Sequence, residues 1–365
     1  MTHISYFDYH LPLEQIAQRP LDRRDASKML LLERASGRFS DDCFANLPAR
    51  LRGDELIVLN NARVIPARLF ARREAGHQAP ESPRDSPELL AARIEIFLIR
   101  RLQGEQWEAL VRPGRKVRVG ERLRIEGSEL RAEVIGRGEY GLRQLRLFGV
   151  PDVLAAVEGA GHVPLPPYIR RSDDRSDRER YQTVFATQSS AVAAPTAGLH
   201  FTEKTLAEIR ARGGEIRELT LEVGLGTFQP VHEDDLERHA MHAETYEVPP
   251  ETVEAIRRAH GAGRPVLAVG TTVVRALEDA AQKALARGSA VHDIAPGRAA
   301  ADIFIRPGHS FAIVNQLLTN FHLPRSTLLV LVAAFAGRDA VLAAYRHAVE
   351  TGYRFYSYGD CMLIR

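Results

Sequence analysis

Between Arg93 and Phe148 apolar residues recur at about every second position, whereas beyond Pro151 they follow helical and strand spacings in turn. This change of period limits the fold more than any other feature of the chain. Side chains two apart share one face of a strand, so the first region predicts half-buried strands. Its candidate strands are Arg93–Ile99, Trp107–Val111, Val117–Val119, Leu123–Ile125, Leu130–Ile135 and Leu142–Phe148. Pro113-Gly114, Gly120, Gly127 and Gly136 separate them at the short spacing expected of a small barrel. Alternating helices and strands imply a different, layered domain. The fold class expected is therefore α/β: a Rossmann-like layered body from residues 1–64 and 151–365, with a small β-barrel inserted at 65–150.

Within the body, residues 1–60 read as a lead-in that packs onto the main domain, with short strands at Met29–Leu32 and Leu56–Leu59. Helices are expected over Asp152–Val157, over the segment from Thr202 to Gly213-Gly214, and over Pro250–His260. Further helices are expected over Val273–Ala286, 327–336 and Asp339–Val349. Leu219–Val223, Val266–Val269, Ile303–Ile305, Phe311–Val314 and Arg354–Ile364 read as strands. Gln78–Pro87 reads as a mobile loop inside the barrel region.

Charge excludes a bulk polyelectrolyte, because 49 basic residues face 47 acidic ones and the net is only +2. Residues 63–146, however, hold 18 Lys and Arg against 12 Asp and Glu, a net of +6 that leaves −4 elsewhere. The barrel region is thus the part better suited to a polyanion. Its cluster Arg112, Arg115, Lys116, Arg118, Arg122, Arg124 faces only Glu121 in sequence, and a solvated face explains such a pattern as well as RNA does. Two cysteines, Cys43 and Cys361, exclude a disulfide framework and give no metal-ligand spacing. The amino terminus lacks a basic and apolar leader, and Leu328–Ala336 is shorter than the roughly 20 residues of a membrane span. A soluble, cytoplasmic protein without membrane attachment is the expectation.

Several local arrangements invite chemistry, each beside a plainer reading. Ala193–Gly214 joins the small-residue segment Pro195-Thr196-Ala197-Gly198 to His200 and a helix start at Thr202. Such a turn admits a ligand close to the backbone, or is simply a capped helix with a histidine beside it. Asn320 and His322 stand before the helix that Ser326 or Thr327 caps, as His200 stands before its own. Matching positions suggest one cleft, although either histidine alone is as readily a structural hydrogen-bonder. Gly270-Thr271-Thr272, between a strand and a helix, suits a nucleoside or anion at a helix N-terminus. Arg275 and Glu278 lie a turn apart on that helix, where a surface ion pair is the simple alternative. Gly224-Leu225-Gly226-Thr227 lacks the dinucleotide fingerprint spacing, and His239, His242 and Glu244 lack a third strong ligand, so no metal is expected. Arg63 and Arg68 place two guanidinium groups at the entry to the barrel region.

Taken together, LNNARVIPARL (59–69), RYQTVFA (180–186), AVAAPTAGLHFT (191–202) and VGLGTFQPV (223–231) resemble one family. HAMHAETYEV (239–248), GTTVVRALE (270–278), TNFHLPRSTLLVLVAAFAG (319–337) and YRFYSYGDCMLI (353–364) complete the likeness, as does IAQRPLDRRDASKMLLL (16–32). The family is the S-adenosylmethionine:tRNA ribosyltransferase-isomerases. Two positions depart from its pattern: Glu222 where histidine is expected, and Ser190 where glycine is expected.

The resemblance implies transfer of the ribosyl part of S-adenosylmethionine to 7-aminomethyl-7-deazaguanine at the tRNA wobble position. Adenine and methionine leave, and the sugar rearranges to the epoxycyclopentane of epoxyqueuosine. S-adenosylmethionine is then a co-substrate, no metal or redox cofactor is required, and tRNA is the partner of a presumptive monomer. A sulfonium acidifies the adjacent 5′ carbon, so a general base can open the reaction. The proton-transfer candidates are His200 and His322, expected to be neutral with pKa near ~6.5, with Asp360 as competitor or orienting group. Substrate contacts are expected from Arg63, Arg68, Thr196, Gly198, Gly226, Thr227, His242, Glu244, Thr271, Thr272, Arg275, Asn320 and Tyr358. The alternatives from the residues alone are a methyltransferase-like nucleotide enzyme and a non-catalytic RNA-binding protein.

Overall fold

A computed structural model describes residues 3–74, 92–114, 117–138, 141–191, 193–222, 235–237, 241 and 243–365. The chain divides into two compact units. The first comprises Met1–Arg63, Pro166–Arg171 and Arg180–Arg365, and the second Val64–Leu165 with Ser172–Glu179.

In chain order the strands of the amino-terminal part are β1 (Lys28–Leu32), β2 (Phe39–Cys43), β3 (Leu56–Asn60) and β4 (Ala62–Val64). The second unit holds β5 (Arg68–Arg73), β6 (Ile94–Arg101), β7 (Gln106–Arg112), β8 (Arg122–Ile125), β9 (Arg131–Arg137) and β10 (Leu142–Phe148). The remaining strands are β11 (Gln188–Ala191), β12 (Glu215–Leu221), β13 (Glu244–Val248), β14 (Val266–Val269), β15 (Gly297–Ala301), β16 (Gln316–Asn320) and β17 (Cys361–Ile364).

The first unit is built on a nine-stranded sheet of order β15-β13-β12-β3-β14-β16-β17-β1-β2. Its centre, β12, β3, β14 and β16, is parallel, and antiparallel pairings flank it on both sides. Parallel strands need both faces covered, which is why β3 and β14 are buried along their whole length. Alternate side chains feed two cores. Leu56, Val58 and Ala268 enter one with the helices Pro250–Gly261, Thr271–Ala286, Thr327–Ala336 and Arg338–Glu350. Ile57, Leu59, Leu267 and Val269 enter the other with Phe201, Leu206 and Ile209 around the helix Glu203–Ala211. The layered α/β body is thus as expected. The amino-terminal segment is no lead-in, however: it supplies β3 to the middle of the sheet and β1 and β2 to one edge.

Three other strand expectations change. Ile303–Ile305 and Phe311–Val314 are not strands. Backbone N–H groups of Ala312, Ile313 and Val314 instead donate to the buried Glu278 carboxylate at 2.8–3.0 Å. The terminal strand is confined to Cys361–Ile364, and Tyr358-Gly359-Asp360 belongs to the turn before it. No single helix among the described residues is long and apolar enough to cross a membrane.

The second unit is a closed antiparallel barrel of order β10-β7-β6-β5-β8-β9. Strands β6 and β7 alternate strictly between buried and half-exposed positions over most of their length. Val117–Val119 is not a strand, and β5 takes the sixth place. The barrel arginines are largely compensated. Arg73 holds the buried Glu121 at 3.3 Å, and Arg72, Arg93, Arg100 and Arg131 each hold a glutamate. Glu121 is thus held by an arginine of β5, a strand absent from the sequence reading. Gln78–Pro87 lies outside the described residues.

Candidate functional site

The central parallel strands β14 and β16 run side by side and end at Val269 and Asn320. A positive φ of +96° at Gly270 turns the chain straight from β14 into the helix Thr271–Ala286. That conformation disfavours any residue with a Cβ. The same edge receives the turn Thr196–His200, whose Gly198 packs under two side chains. A Cβ there would stand 2.6 Å from Phe185 Cζ and 2.8 Å from Thr183 Cγ2. Gly198 is thus a packing glycine beneath the site and does not line it.

These elements enclose a cleft of about 670 Å³, its open mouth included. Thr196, Thr271, Thr272, Asn320 and His322 line it, as the sequence suggested. Tyr168, Tyr181, Phe321, Tyr356, Thr319 and Ser357 line it too, and sequence reasoning missed them. Dense prolines around Tyr168 and the turn around Tyr356 give these aromatics no periodicity to read. Among the described residues, no charged side chain lines the cleft. The rings of Tyr168 and Tyr356 lie 3.9 Å apart between centroids, and the Tyr168 hydroxyl is 2.5 Å from Ser357 Oγ.

His322 is fixed through its backbone: its N–H donates to the Tyr345 hydroxyl at 3.1 Å and its carbonyl accepts from Tyr9 at 2.5 Å. Its Nε2 lies 2.9 Å from Thr319 Oγ1. Burial pushes its pKa down to about 3. His200 is buried behind the cleft wall, with Nδ1 2.9 Å from Ser27 Oγ and Nε2 3.3 Å from the Asn320 amide nitrogen. Burial pushes its pKa down to about 4, and the charges of Arg354 and Arg24 act in the same direction. Both imidazoles are neutral near pH 7, as expected, but for a different reason. Desolvation, rather than a helix terminus, leaves them much less basic than the unperturbed ~6.5.

The Asn320 amide sets the His200 tautomer. Its nitrogen also donates to the Tyr356 carbonyl at 3.0 Å, so the NH₂ group is the end that faces His200. Nε2 of His200 must then accept, and Nδ1–H donates to Ser27. This arrangement leaves the buried Asn320 Oδ1 without a partner among the described residues. An unpaired buried acceptor costs about 1–3 kcal/mol until a donor reaches it.

Asp360 stands apart. Its two oxygens accept from the backbone N–H groups of Lys28 at 2.8 Å and Arg354 at 2.7 Å. It therefore clamps the turn that carries Tyr356, Ser357 and Tyr358, rather than touching the cleft. Tyr358 faces a second, smaller pocket that also borders His200. Arg275 and Glu278 are both buried and do not pair with one another. Arg275 instead forms a buried ion pair with Glu244, so neither Arg275 nor Glu244 lines the cleft. Arg68 pairs with Glu95 at 3.2 Å and donates to the Leu165 carbonyl, while Arg63 is half-buried on β4. Gly226, Thr227, His239 and His242 lie outside the described residues.

An aromatic cleft beyond the carboxyl ends of parallel strands places the chain among layered α/β proteins with a pocket at the carboxyl edge of the sheet. A family model described as queuosine biosynthesis protein matches residues 4–364. The chain is 50% identical over 366 positions to the S-adenosylmethionine:tRNA ribosyltransferase-isomerase of Solibacter usitatus, covering 99% of each. Identity to the enzyme of that name from Citrifermentans bemidjiense is 48%, again over 99% of each. A crystal structure of S-adenosylmethionine tRNA ribosyltransferase from Thermotoga maritima is similar with a TM-score of 0.52 and 38% identity, over 99% of this chain and 100% of that one. The chain belongs to the queuosine biosynthesis protein family.

Proposed function

We propose that the chain is an S-adenosylmethionine:tRNA ribosyltransferase-isomerase. It moves the ribosyl portion of S-adenosylmethionine onto the aminomethyl group of 7-aminomethyl-7-deazaguanine at the tRNA wobble position and isomerises it. Epoxyqueuosine-tRNA is formed, with adenine and methionine released. The observation that carries this reading is the lining of the cleft: among the described residues it has four aromatic rings, several hydroxyl groups, one amide and one imidazole, without a charged side chain. Aromatic faces attract a sulfonium cation in a desolvated site, and the hydroxyl groups suit a ribose.

His322 is the imidazole at the cleft, and we assign the proton transfer to it. His200 acts through Asn320, whose free Oδ1 accepts from an N–H of the ligand. Thr196, Thr271 and Thr272 hold the nucleoside portion. S-adenosylmethionine is co-substrate, and the anticodon region of tRNA is the second substrate.

The assignment is tested with His322→Ala and Thr271→Ala. His322→Ala is expected to lose roughly two to four orders of magnitude in turnover with S-adenosylmethionine binding largely kept. Thr271→Ala is expected to raise the apparent KM with kcat little changed. Turnover within a few-fold of wild type for His322→Ala would remove that residue from the chemistry.

A further inference from the structure

The smaller pocket behind His200 differs from the cleft in its charge. Arg23, Arg24 and Arg180 line it beside Ser27, His200 and Tyr358, and among the described residues no aspartate or glutamate lines it. Backbone carbonyls hold the guanidinium groups in place. Arg180 donates to Leu21 at 2.5 Å and Asp22 at 2.7 Å, and Arg24 donates to Gln182 at 2.7 Å and Leu199 at 3.4 Å. For Arg180 these carbonyl dipoles orient the cation without cancelling its charge. Arg23 pairs with Asp25 at 3.1 Å, and its side chain remains 74% exposed. The Nε–H of Arg180 is buried without a partner among the described residues. The charges of Arg24 and Arg354 also disfavour protonation of His200, which borders the pocket.

We propose that this pocket is an oxyanion subsite, and that the anion is a backbone phosphodiester of the RNA substrate. Guanidinium forks match phosphate geometry, and phosphate contacts fix the register of a nucleic acid on its protein. The carboxylate of an amino acid is the other oxyanion within the reaction. It carries an ammonium group alongside, for which the described lining residues supply no carboxylate. An anion without an attached cation fits better. His200 and Ser357 border this pocket, and through Asn320 and Ser357 the same wall reaches the cleft. A phosphate bound here therefore sits one side-chain layer from the nucleoside site, which suits a backbone group next to the modified nucleotide. The identity of the RNA rests on the ribosyl-transfer reading; the anion preference does not.

The experiment uses the full chain as wild type, Arg23→Gln, Arg180→Gln and, as control, Arg38→Gln in the turn between β1 and β2. Binding of a labelled anticodon stem-loop RNA is followed by anisotropy across about 50–300 mM salt. Arg23→Gln and Arg180→Gln are each expected to weaken binding several-fold and to lower the slope of log Kd against log salt by about one. Arg38→Gln should match wild type. The apparent KM for S-adenosylmethionine, read by adenine release, should stay within about twofold in all. Unchanged RNA affinity and slope in both pocket variants would overturn the proposal. A raised KM for S-adenosylmethionine with RNA binding intact would overturn it too, by making the substrate carboxylate the anion. If Arg180→Gln fails a thermal-melt check of folding, the exposed Arg23→Gln decides alone. A wild type that binds RNA but releases no adenine would sink the ribosyl-transfer reading while leaving the slopes to judge the pocket.

Discussion

Asn320 has a hydrogen bond to gain from a ligand, because its neighbours use its nitrogen and leave its oxygen unpaired among the described residues. Asn320→Ala is expected to lower kcat/KM for S-adenosylmethionine by roughly five- to a hundredfold, the range of one buried hydrogen bond. His200→Ala should cost less. If His200 acts through the amide, the double variant should be little worse than Asn320→Ala alone. Additive losses would instead give His200 a role of its own. The buried imidazoles also predict a pH dependence of stability. Unfolded histidines titrate near ~6.5, whereas His200 and His322 are held to about 4 and about 3. Their folded pKa values are depressed, so their contribution is full above pH ~6.5 and is lost as pH falls towards the folded values. With two groups the slope approaches roughly 3 kcal/mol per pH unit below about pH 5.5. Asp42 and Glu215, with lowered carboxyl pKa values, add their loss only at more acid pH. Denaturant unfolding at pH 7, 6 and 5 measures this. The account expects a fall that His200→Asn/His322→Asn flattens, and equal slopes in both proteins would contradict it.

At the scale of elements, the turn Arg354–Asp360 places Tyr356 and Ser357 in the cleft. The Asp360 clamp holds it, with Tyr356 at a positive φ of +73° that a side chain disfavours. Asp360→Ala should destabilise the protein by roughly 2–4 kcal/mol, since two buried backbone donors lose a carboxylate at once. It should also raise the KM for S-adenosylmethionine. Stability at the wild-type level in thermal melts would show that the clamp is dispensable. Gly198→Ala drives a methyl into Phe185 and Thr183 and is expected to cost about 1–3 kcal/mol by overpacking. Both elements show what a sequence discloses. Gly270-Thr271-Thr272 was legible because a buried apolar strand, a glycine and a helical period adjoin in one stretch. Arg275 and Glu278 looked like a surface pair because helix spacing says nothing of what covers a helix. Their partners, Glu244 and the backbone of 312–314, are 31 and 34 or more residues away. Phe311–Val314 had strand-like composition, yet Glu278 captured its N–H groups before any strand could.

For the whole molecule, the change of period near Pro151 disclosed a barrel beside a layered body. The contribution of the amino-terminal segment stayed hidden, because β3 reaches the middle of the sheet through pairings with β12 and β14 far along the chain. The barrel's basic excess likewise looked freer than it is, since cross-strand glutamates answer many of its arginines. The central claim concerns which bonds of S-adenosylmethionine break. The most direct measurement incubates the full chain with S-adenosylmethionine and tRNA carrying 7-aminomethyl-7-deazaguanine, and separates the small products by chromatography. The account predicts adenine and methionine in equal amounts, matched by epoxyqueuosine in the digested tRNA. S-adenosylhomocysteine as product, or intact S-adenosylmethionine alongside tightly bound tRNA, would contradict it.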